Sequence, residues 1–452
     1  MQGLISSSGL RGLAMREVTP ELCMRVGMAL SRMNKGSYVV GHDVRLSSPL
    51  LTQSLINGLN AGGSDVLYLG LASTPVVAFY SRGHKGGAVI TASHNPPEYN
   101  GIKVFDGRGA SVSQSFYSAL LRKRGGGPEY ARWDSLGSSR AGDGLHQYVE
   151  YVVSSSRIRR RWEVGLDLGN GTTSITAPLA MFLSGCEVST INLAPDGTFP
   201  GRGSEPDEKS LSGLCHIVRE KHLDIGFGYD GDGDRLAIVD ERGVPIPQDL
   251  ALAFAAGESV KENRGGSVVV NVDTSALVDI VVESEGGKVY RSKVGDPYVL
   301  GEITKKRSVF GGETCGAWIH PKYGLCPDGV LSSVVFLNFL EGSGLKPSRL
   351  GEGLPKFYLT RRKVPCPNTL KPTVMKVLKG KIADLYPHAE ILNIDGIRAG
   401  LPDRSWVLVR PSGTEPILRI TAESTEARRS NALAEDLFNV IEKIMEGLPR
   451  KP

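Results

Sequence analysis

Ser93 lies in a turn whose neighbours could support phosphoryl transfer. His94 follows it directly, prolines stiffen the turn, and Lys103 lies further along the same segment. A phosphorylated serine carries close to two negative charges at neutral pH, so it requires cations or a metal nearby. The apolar run 88–91 predicts a strand that ends just before Ser93, where ligands usually bind in α/β domains. The alternative is a plain surface turn, because Asn-Pro-Pro alone would form one.

A run of alternating aspartates indicates a metal site. Asp230, Asp232 and Asp234 would share one side of an extended chain, and the glycines between them allow it to curl around a cation. Oxygen ligands of this kind suit Mg²⁺, and Arg235 could neutralise a transferring phosphoryl group. An EF-hand calcium loop would end on a glutamate such as Glu241, but Arg235 stands where that loop requires glycine. A purely structural aspartate-rich hairpin is the remaining alternative.

A third segment could hold a phosphate. Arg410, Ser412, Gly413 and Thr414 follow one another closely, and Arg419 comes soon after. A guanidinium, two hydroxyls and the free N–H groups of a glycine turn can surround a phosphate. An ordinary Ser-Gly-Thr turn is the alternative.

Two further loops carry weaker signals. Glu313, followed by Thr314 and Cys315, suits a loop that hydrogen-bonds the hydroxyls of a sugar, although an unrelated glutamate in a turn would look the same. Residues 167–174 resemble the phosphate loop of actin-like sugar kinases, which would make the chain an ATP-dependent kinase. The second phosphate loop and the adenosine motif of those kinases are missing, so a strand–turn–helix connection explains this segment more simply.

The elements that must position these loops alternate between strands and helices, which is typical of α/β domains with mixed or parallel sheets. Strands are predicted at 37–41, 66–69, 88–91, 164–167, 225–229, 236–240, 267–272 and 356–364, and helices at 49–61, 172–183, 276–285 and 425–445. Residues 122–144 are polar and rich in glycine, so we expect a loop there, ahead of a helix that begins near Leu145.

A chain of 452 residues is too long for one hydrophobic core. Breaks near 145, 246 and 354 divide it into four expected domains. Their predicted bounds are 1–145, with the serine loop; 146–246, with the aspartate loop; 247–354, with the Glu313 loop; and 355–452, with the Arg410 loop.

Composition excludes several classes of protein. The formal net charge of +5 is small for this length and lacks the concentrated basic patch of nucleic-acid binders. The six cysteines form no CxxC pair, which argues against a zinc site or a disulfide framework. The sequence shows no signal peptide and no apolar stretch long enough to span a membrane. We therefore expect a soluble cytoplasmic protein with no nucleic-acid or membrane partner, and we leave assembly into a homo-oligomer open.

In their order and spacing, these motifs resemble those of the α-D-phosphohexomutase superfamily over the whole chain. The matching segments are Ser-Ser-Gly-Leu-Arg-Gly at 7–12, the serine loop, the aspartate loop, Lys-Val-Gly-Asp at 293–296, the Glu313 loop, Asp-Gly at 328–329 and the Arg410 loop. The resemblance implies four domains in a heart shape around one cleft, three of them similar α/β domains with mixed sheets and the last a smaller α+β domain.

The resemblance also implies roles. Ser93 would lend a phosphoryl group to a hexose monophosphate and take one back from a 1,6-bisphosphate, which also serves as activator. The three aspartates and an oxygen of phosphorylated Ser93 would bind Mg²⁺. The remaining expected catalytic residues are Arg11, His94, Lys103 and Arg235, and the expected substrate-binding residues are Lys293, Glu313, Thr314, Cys315, Arg410, Ser412, Gly413, Thr414 and Arg419.

Residues near Glu313 bear on the choice of sugar. Where many bacterial members have histidine, this chain has Ala317, so the resemblance assigns no second acid/base group there, and His320 is a weak substitute. The surrounding sequence resembles an archaeal variant associated with phosphoglucosamine mutases. Glucosamine phosphate is therefore the expected substrate, and glucose or mannose phosphate is the alternative.

Overall fold

A computed structural model of the chain describes residues 4–123, 130–413 and 415–448. The expectation for Thr414 lies outside the described residues. The described residues form four β-sheets that follow one another along the chain, which confirms the expected α/β class. We call the units built on these sheets domains I to IV.

Domain I places the serine loop and Lys103 side by side. Its elements are β1 (Ile5–Ser6), β2 (Gly9–Leu13), α1 (Pro20–Met33), β3 (Ser37–His42), α2 (Ser48–Ala61), β4 (Asp65–Leu71), α3 (Thr74–Tyr80), β5 (Gly86–Ile90), β6 (Tyr99–Asp106), α4 (Gln114–Lys123) and β7 (Ser139–Ala141). Within the described part, the sheet order is β1-β2-β6-β5-β3-β4-β7. Strands β5 and β6 are antiparallel, with Val89 opposite Lys103, so the loop after β5 returns directly to the strand that carries the lysine.

The predicted loop over 122–144 is wrong in one part, because it contains the edge strand β7, which pairs in parallel with β4. Asp65 holds this segment against the sheet: one of its carboxylate oxygens accepts hydrogen bonds from both the N–H and the hydroxyl of Ser138 at 2.8 Å. Strand β7 is short, exposed and polar, so the sequence did not indicate it.

Domain II builds the aspartate loop as the turn of a hairpin. Its elements are α5 (His146–Ser154), β8 (Glu163–Asp167), a 3₁₀ helix (Thr172–Ile175), α6 (Ala177–Leu183), β9 (Glu187–Ile191), α7 (Ser212–Glu220), β10 (Ile225–Tyr229) and β11 (Leu236–Val239). Strands β10 and β11 are antiparallel, and β10 also pairs in parallel with β8. The helix predicted over 172–183 is interrupted, because Pro178 has no N–H to donate to the carbonyl of Ser174.

Domains III and IV supply the remaining loops. Domain III contains α8 (Gln248–Glu262), β12 (Ser267–Asn271), α9 (Leu277–Ser284), β13 (Lys288–Ser292), α10 (Asp296–Lys306), β14 (Phe310–Gly312), β15 (Trp318–Ile319) and α11 (Gly329–Ser343). Domain IV contains β16 (Tyr358–Pro365), α12 (Lys371–Leu385), β17 (Glu390–Leu392), β18 (Ile397–Gly400), β19 (Trp406–Pro411), β20 (Ile417–Ser424) and α13 (Ala427–Glu446). The Glu313 loop connects β14 to β15, and the Arg410 loop connects β19 to β20.

The hydrophobic cores follow a different division from the sheets. One continuous cluster joins domains I, II and III, with Val89, Leu166 and Phe336 among its buried members. Domain IV has a cluster of its own, and a small cluster that includes Ala276 and Trp406 joins it to domain III. Among the described residues, no helix is long and apolar enough to cross a membrane.

Candidate active site

Loops from domains I, II and III meet in one cavity of about 280 Å³. Its lining comprises Ser6, Ser7, Ser8, Arg11, Ser93, His94, Lys103, Asp234, Arg235, Asn271, Asp273, Val294, Gly295, Asp296, Glu313, Thr314, Cys315, Ala317 and Pro327. Residues distant in sequence, nine of them expected at the site, therefore share one cavity.

Ser93 is held in an unusual conformation at the base of this cavity. Its φ angle is +53°, in the left-handed region that residues other than glycine seldom adopt. Its side chain is buried, at 2% exposure, and its Oγ donates to Asp230 Oδ2 at 2.7 Å. The Nδ1 atom of His94 lies 3.2 Å from the same hydroxyl. The hydroxyl therefore points at the aspartate loop.

The aspartate loop presents a buried group of carboxylates. Asp230, Asp232 and Asp234 each offer one oxygen within 4.8 Å of the others. Burial and repulsion among the carboxylates raise the pKa of both Asp230 and Asp234. Among the described atoms, Asp232 Oδ1 and Asp234 Oδ1 are buried without a hydrogen-bond partner. Buried anionic oxygens that lack partners fit a hard divalent cation, so the donor set suits the expected metal.

Lys103 lies against the other oxygens of the same carboxylates. Its Nζ is 2.7 Å from Asp232 Oδ2 and 2.5 Å from Asp234 Oδ2. Burial alone would lower the pKa of Lys103, but these two carboxylates raise it above its ordinary value. Lys103 is therefore held as a cation, and it leaves the Oδ1 atoms free.

Further cationic groups surround Ser93. Arg11 on β2 donates to Asn95 Oδ1 at 2.8 Å. Arg235 donates from Nη1 to both carboxylate oxygens of Glu205, at 2.8 and 2.9 Å. Burial, Arg235 and Arg11 together lower the pKa of His94, which favours a neutral imidazole. The cavity beside Ser93 is thus suited to a phosphate group.

The Glu313 loop forms another wall of the cavity. Glu313 Oε1 accepts from Asn271 Nδ2 at 2.9 Å and from the N–H of Gly295 at 2.8 Å. Burial raises the pKa of Glu313 and raises that of the Cys315 thiol to about 12. Thr314 and Cys315 both line the cavity, so this wall offers hydroxyl, thiol and carboxyl groups.

Asp273 adds an unpaired oxygen to this wall. It lines the cavity, and its Oδ1 is buried without a hydrogen-bond partner among the described atoms. Burial raises the pKa of Asp273 above its ordinary value. The sequence analysis missed this residue, because nothing in its local sequence distinguishes it from a turn aspartate.

His320 is not part of the described lining, whereas Ala317 is. The Nε2 atom of His320 lies 3.1 Å from Ser332 Oγ, and burial lowers the pKa of His320 to about 3. His320 is therefore buried and neutral, and it lies outside the described lining of the cavity.

Other expected substrate-binding residues also lie outside the described lining. Lys293 Nζ lies 5.6 Å from the centre of the Tyr298 ring. Arg410 pairs with Asp395 at 2.7 Å, and that carboxylate also accepts from the N–H of Val294, which does line the cavity. Arg410 therefore lies beside the edge of the cavity.

The rest of the Arg410 loop is stabilised within domain IV. Arg419 pairs with Glu415 at 2.7 Å, and Gly413 is exposed. Lys371, at the start of α12, donates from Nζ to the carbonyls of Ser412 at 2.6 Å and Glu415 at 2.5 Å. The buried ammonium of Lys371 thus fixes the carbonyls of Ser412 and Glu415 beside the start of α12. Lys371 was missed in the sequence because it lies far from the loop it supports.

Residues 167–174 support the aspartate loop. Asp167 Oδ2 accepts from Arg202 Nε at 2.8 Å, so this carboxylate is engaged in an ion pair. A Cβ atom added at Gly171 would come within 2.8 Å of the carbonyl oxygen of Gly231, and the N–H of Thr172 donates to that carbonyl. The segment is the strand–turn–helix connection that the simpler interpretation predicted, and it packs under the metal-binding turn.

Comparisons with known proteins agree with this arrangement. Four family models match in chain order, described as phosphoglucomutase/phosphomannomutase α/β/α domain I over residues 3–124, domain II over 146–243, domain III over 248–358 and the C-terminal domain over 359–440. A "Probable phosphoglucosamine mutase" of Methanopyrus kandleri is 38% identical, covering 97% of this chain and 98% of the relative. The protein of the same description from Pyrococcus abyssi is also 38% identical, covering 98% of each.

A solved structure has the same architecture. The phosphoglucomutase/phosphomannomutase family protein from Burkholderia thailandensis superimposes with a TM-score of 0.87 at 26% identity, covering 99% of each chain. The expected resemblance is therefore confirmed, and the kinase alternative is wrong. The chain belongs to the phosphoglucomutase/phosphomannomutase family and is a phosphohexomutase.

Proposed function

We propose that this phosphohexomutase interconverts glucosamine 6-phosphate and glucosamine 1-phosphate through phosphorylated Ser93 and a 1,6-bisphosphate. The observation that carries the proposal is the buried Ser93 hydroxyl, which donates to Asp230 and lies in a cavity whose lining includes both cationic and acidic side chains. A phosphoryl group on Ser93 would lie near the cationic side chains of Arg11, Lys103 and Arg235 in this cavity.

In the proposed reaction, the bond between phosphorus and Ser93 Oγ breaks as a bond forms from phosphorus to the free hydroxyl of the bound hexose monophosphate. The bisphosphate then turns end for end and returns its other phosphate to Ser93. Such transfers depend on positioning and charge neutralisation more than on covalent chemistry. Arg11, Lys103 and Arg235 supply cations close to the reacting group, and the neutral ring of His94 adjoins the hydroxyl.

Asp230, Asp232 and Asp234 would hold a Mg²⁺ ion, with an oxygen of phosphorylated Ser93 beside them. Asp232 Oδ1 and Asp234 Oδ1, which are buried without a hydrogen-bond partner among the described atoms, support this choice. When bound, the ion would neutralise charge on the phosphoryl group during transfer.

Domain IV would hold the phosphate that does not react. We propose that Arg410, Ser412, Gly413, Thr414 and Arg419 bind it when domain IV moves towards the cavity and excludes water. Lys293, Glu313, Thr314 and Cys315 would contact the sugar. The boundaries 1–145, 146–246, 247–354 and 355–452 are proposed for the domains.

Two observations favour glucosamine over glucose or mannose. Relatives at 38% identity carry the name phosphoglucosamine mutase. The cavity lining includes the acids Asp273, Asp296 and Glu313, and Asp273 Oδ1, which has no hydrogen-bond partner among the described atoms, suits an ammonium group. We also propose that a hexose 1,6-bisphosphate is the activator, that the protein is cytoplasmic and that it assembles into a homo-oligomer.

The test compares kcat/KM for the 1-phosphates of glucosamine, glucose and mannose, together with the intact mass of the protein. We expect glucosamine 1-phosphate to be preferred, and a fraction of the protein to be one phosphate heavier. Ser93→Ala should lose both the activity and the added mass, whereas exposed Ser115→Ala should retain both. An active Ser93→Ala enzyme would refute the phosphoserine pathway, and a preference for glucose or mannose would refute only the choice of sugar.

A further inference from the structure

We infer that the buried pair Asp43 and Arg45 is a positioning element of the transfer reaction, because it fixes both sides of the Ser93 peptide and thereby the direction of the hydroxyl. This inference rests on the proposed role of Ser93. Neither residue lines the cavity described above, so any effect on the reaction must act through the serine loop.

Arg45 organises the main chain of the loop. Its side chain is completely buried, at 0% exposure. Nη2 donates to the carbonyl of Ser93 at 2.8 Å and to that of Asn95 at 2.6 Å. Nη1 donates to the carbonyls of Pro96 at 2.5 Å and Tyr99 at 3.1 Å. Nε donates to the carboxylate of Asp43, so all five N–H groups of the guanidinium have a partner. Lysine has only three N–H donors and cannot make the same set of hydrogen bonds.

Asp43 balances this buried charge and reaches the other side of Ser93. Its Oδ2 accepts from Arg45 Nε at 2.9 Å and from Thr91 Oγ1 at 2.8 Å. The same threonine oxygen accepts from the N–H of Ser93 at 2.9 Å. The carbonyl of Ser93 is thus held by Arg45, and its N–H is held by Asp43 through Thr91.

This double attachment explains how Ser93 keeps a backbone conformation that is costly for a residue with a side chain. A left-handed φ persists in such residues only when the surrounding structure enforces it. With the loop carbonyls turned towards Arg45, their partial negative charges face away from the space that a phosphoryl group would occupy. The hydroxyl is left on the side of Asp230.

The pair also connects the serine loop to the aspartate loop. The guanidinium of Arg45 stacks on the ring of Phe199 in domain II, with 5.1 Å to the ring centre. A Cβ atom added at Gly231, inside the aspartate loop, would come within 2.9 Å of the Ser93 carbonyl oxygen and 3.2 Å of that ring. A shift of the Ser93 carbonyl would therefore alter the fit between the two loops.

The sharpest test uses Thr91, because its substitution removes one attachment without leaving a buried charge unpaired. Thr91→Val should lower kcat about 10- to 100-fold, as expected for a small misplacement of a reacting group, with KM changed less than about threefold. Thr91→Ser keeps the hydroxyl and should recover most of the activity. Thr52→Val is the matched control, since Thr52 is equally buried in domain I but donates only within α2.

Single-turnover transfer from the phosphorylated enzyme to a hexose monophosphate should slow in Thr91→Val to the same degree as kcat, while the thermal midpoint changes no more than in Thr52→Val. Arg45→Lys should lose more activity than Thr91→Val. If kcat of Thr91→Val matches that of Thr52→Val, or if Thr91→Ser fails to recover activity, the inference is overturned. An active Ser93→Ala enzyme would instead indicate that the proposed function has failed.

Discussion

Thr74 in domain I binds Asp232 in domain II twice. Its hydroxyl donates to Asp232 Oδ2 at 2.6 Å, and its N–H donates to the Asp232 carbonyl at 2.9 Å. On the other side, the N–H of Gly329 at the start of α11 donates to the carbonyl of Gly233 at 3.0 Å. The metal-binding turn of domain II is therefore held from both neighbouring domains.

Thr74→Val should weaken Mg²⁺ binding. Residues that orient metal ligands typically contribute about 10- to 100-fold to affinity, and this substitution removes the hydroxyl that fixes the Asp232 carboxylate. Isothermal titration of the full-length protein with Mg²⁺ measures the change, and Thr52→Val provides the control. An unchanged dissociation constant would show that Asp232 needs no support from domain I.

Asp273→Asn should reduce the preference for glucosamine. A charge-assisted hydrogen bond contributes about 1.5–3 kcal/mol, so kcat/KM for glucosamine 1-phosphate should fall roughly 10- to 100-fold. The value for glucose 1-phosphate should change far less, because its hydroxyl forms a neutral hydrogen bond with either side chain. Equal losses of kcat/KM for both sugars would contradict the proposed contact between Asp273 and the amino group. The loss would then be attributed to the arginines of domain IV that lie near the Asp273 carboxylate.

Lys371→Met should impair binding of the distal phosphate. Without the ammonium, the carbonyls of Ser412 and Glu415 lose their buried partner, and the loop between them loses its shape. We expect KM for the hexose phosphate to rise about 10-fold, the equivalent of one lost hydrogen bond to a charged group, while kcat changes less. Lys376→Met, exposed on the same helix, is the control. If Lys371→Met has the same KM as the unsubstituted enzyme, Lys371 does not support phosphate binding.

His320 should remain neutral at a pH at which a free histidine is charged. Burial lowers the pKa of His320 to about 3, below its ordinary value, so between this pH and about 6.5 the unfolded chain binds a proton that the folded chain does not. The free energy of unfolding should therefore fall as pH decreases through this range, by at most about 1.4 kcal/mol per pH unit from this residue. NMR titration of the imidazole resonances, with His320→Asn for assignment, should find that the His320 ring does not titrate between pH 5 and 7. A pKa near 6.5 for this ring would refute the prediction.

The sequence indicated the proposed reacting and binding groups better than the groups that support them. Ser93, the alternating aspartates and Glu313 stand out because their residue types suit phosphate, metal and sugar, and all lie at or directly beneath the cavity. Thr74 and Lys371 act across long separations in the chain, so no local spacing indicates them. Arg45 comes shortly after β3, at a position where the sequence alone indicates only a surface turn.

Secondary structure was predictable where apolar runs are buried on both faces. The strand predicted at 225–229 has the bounds of β10, because each of its residues is buried. The sequence was less informative where tertiary contacts decide the outcome, as in β7, which exists because Asp65 binds Ser138. The position of Arg410 beside the cavity likewise depends on how domain IV packs, which its own sequence does not specify.

The division of the hydrophobic core has a consequence for synthesis of the protein on the ribosome. Since domains emerge in order from the N-terminus, the shared core of domains I, II and III can close before β16 has left the ribosome. Domain IV then folds around its own cluster and docks through a few residues such as Trp406. A nascent chain would thus bring the serine and aspartate loops together first, and domain IV, which is translated later, would add the Arg410 loop to a cavity that already exists.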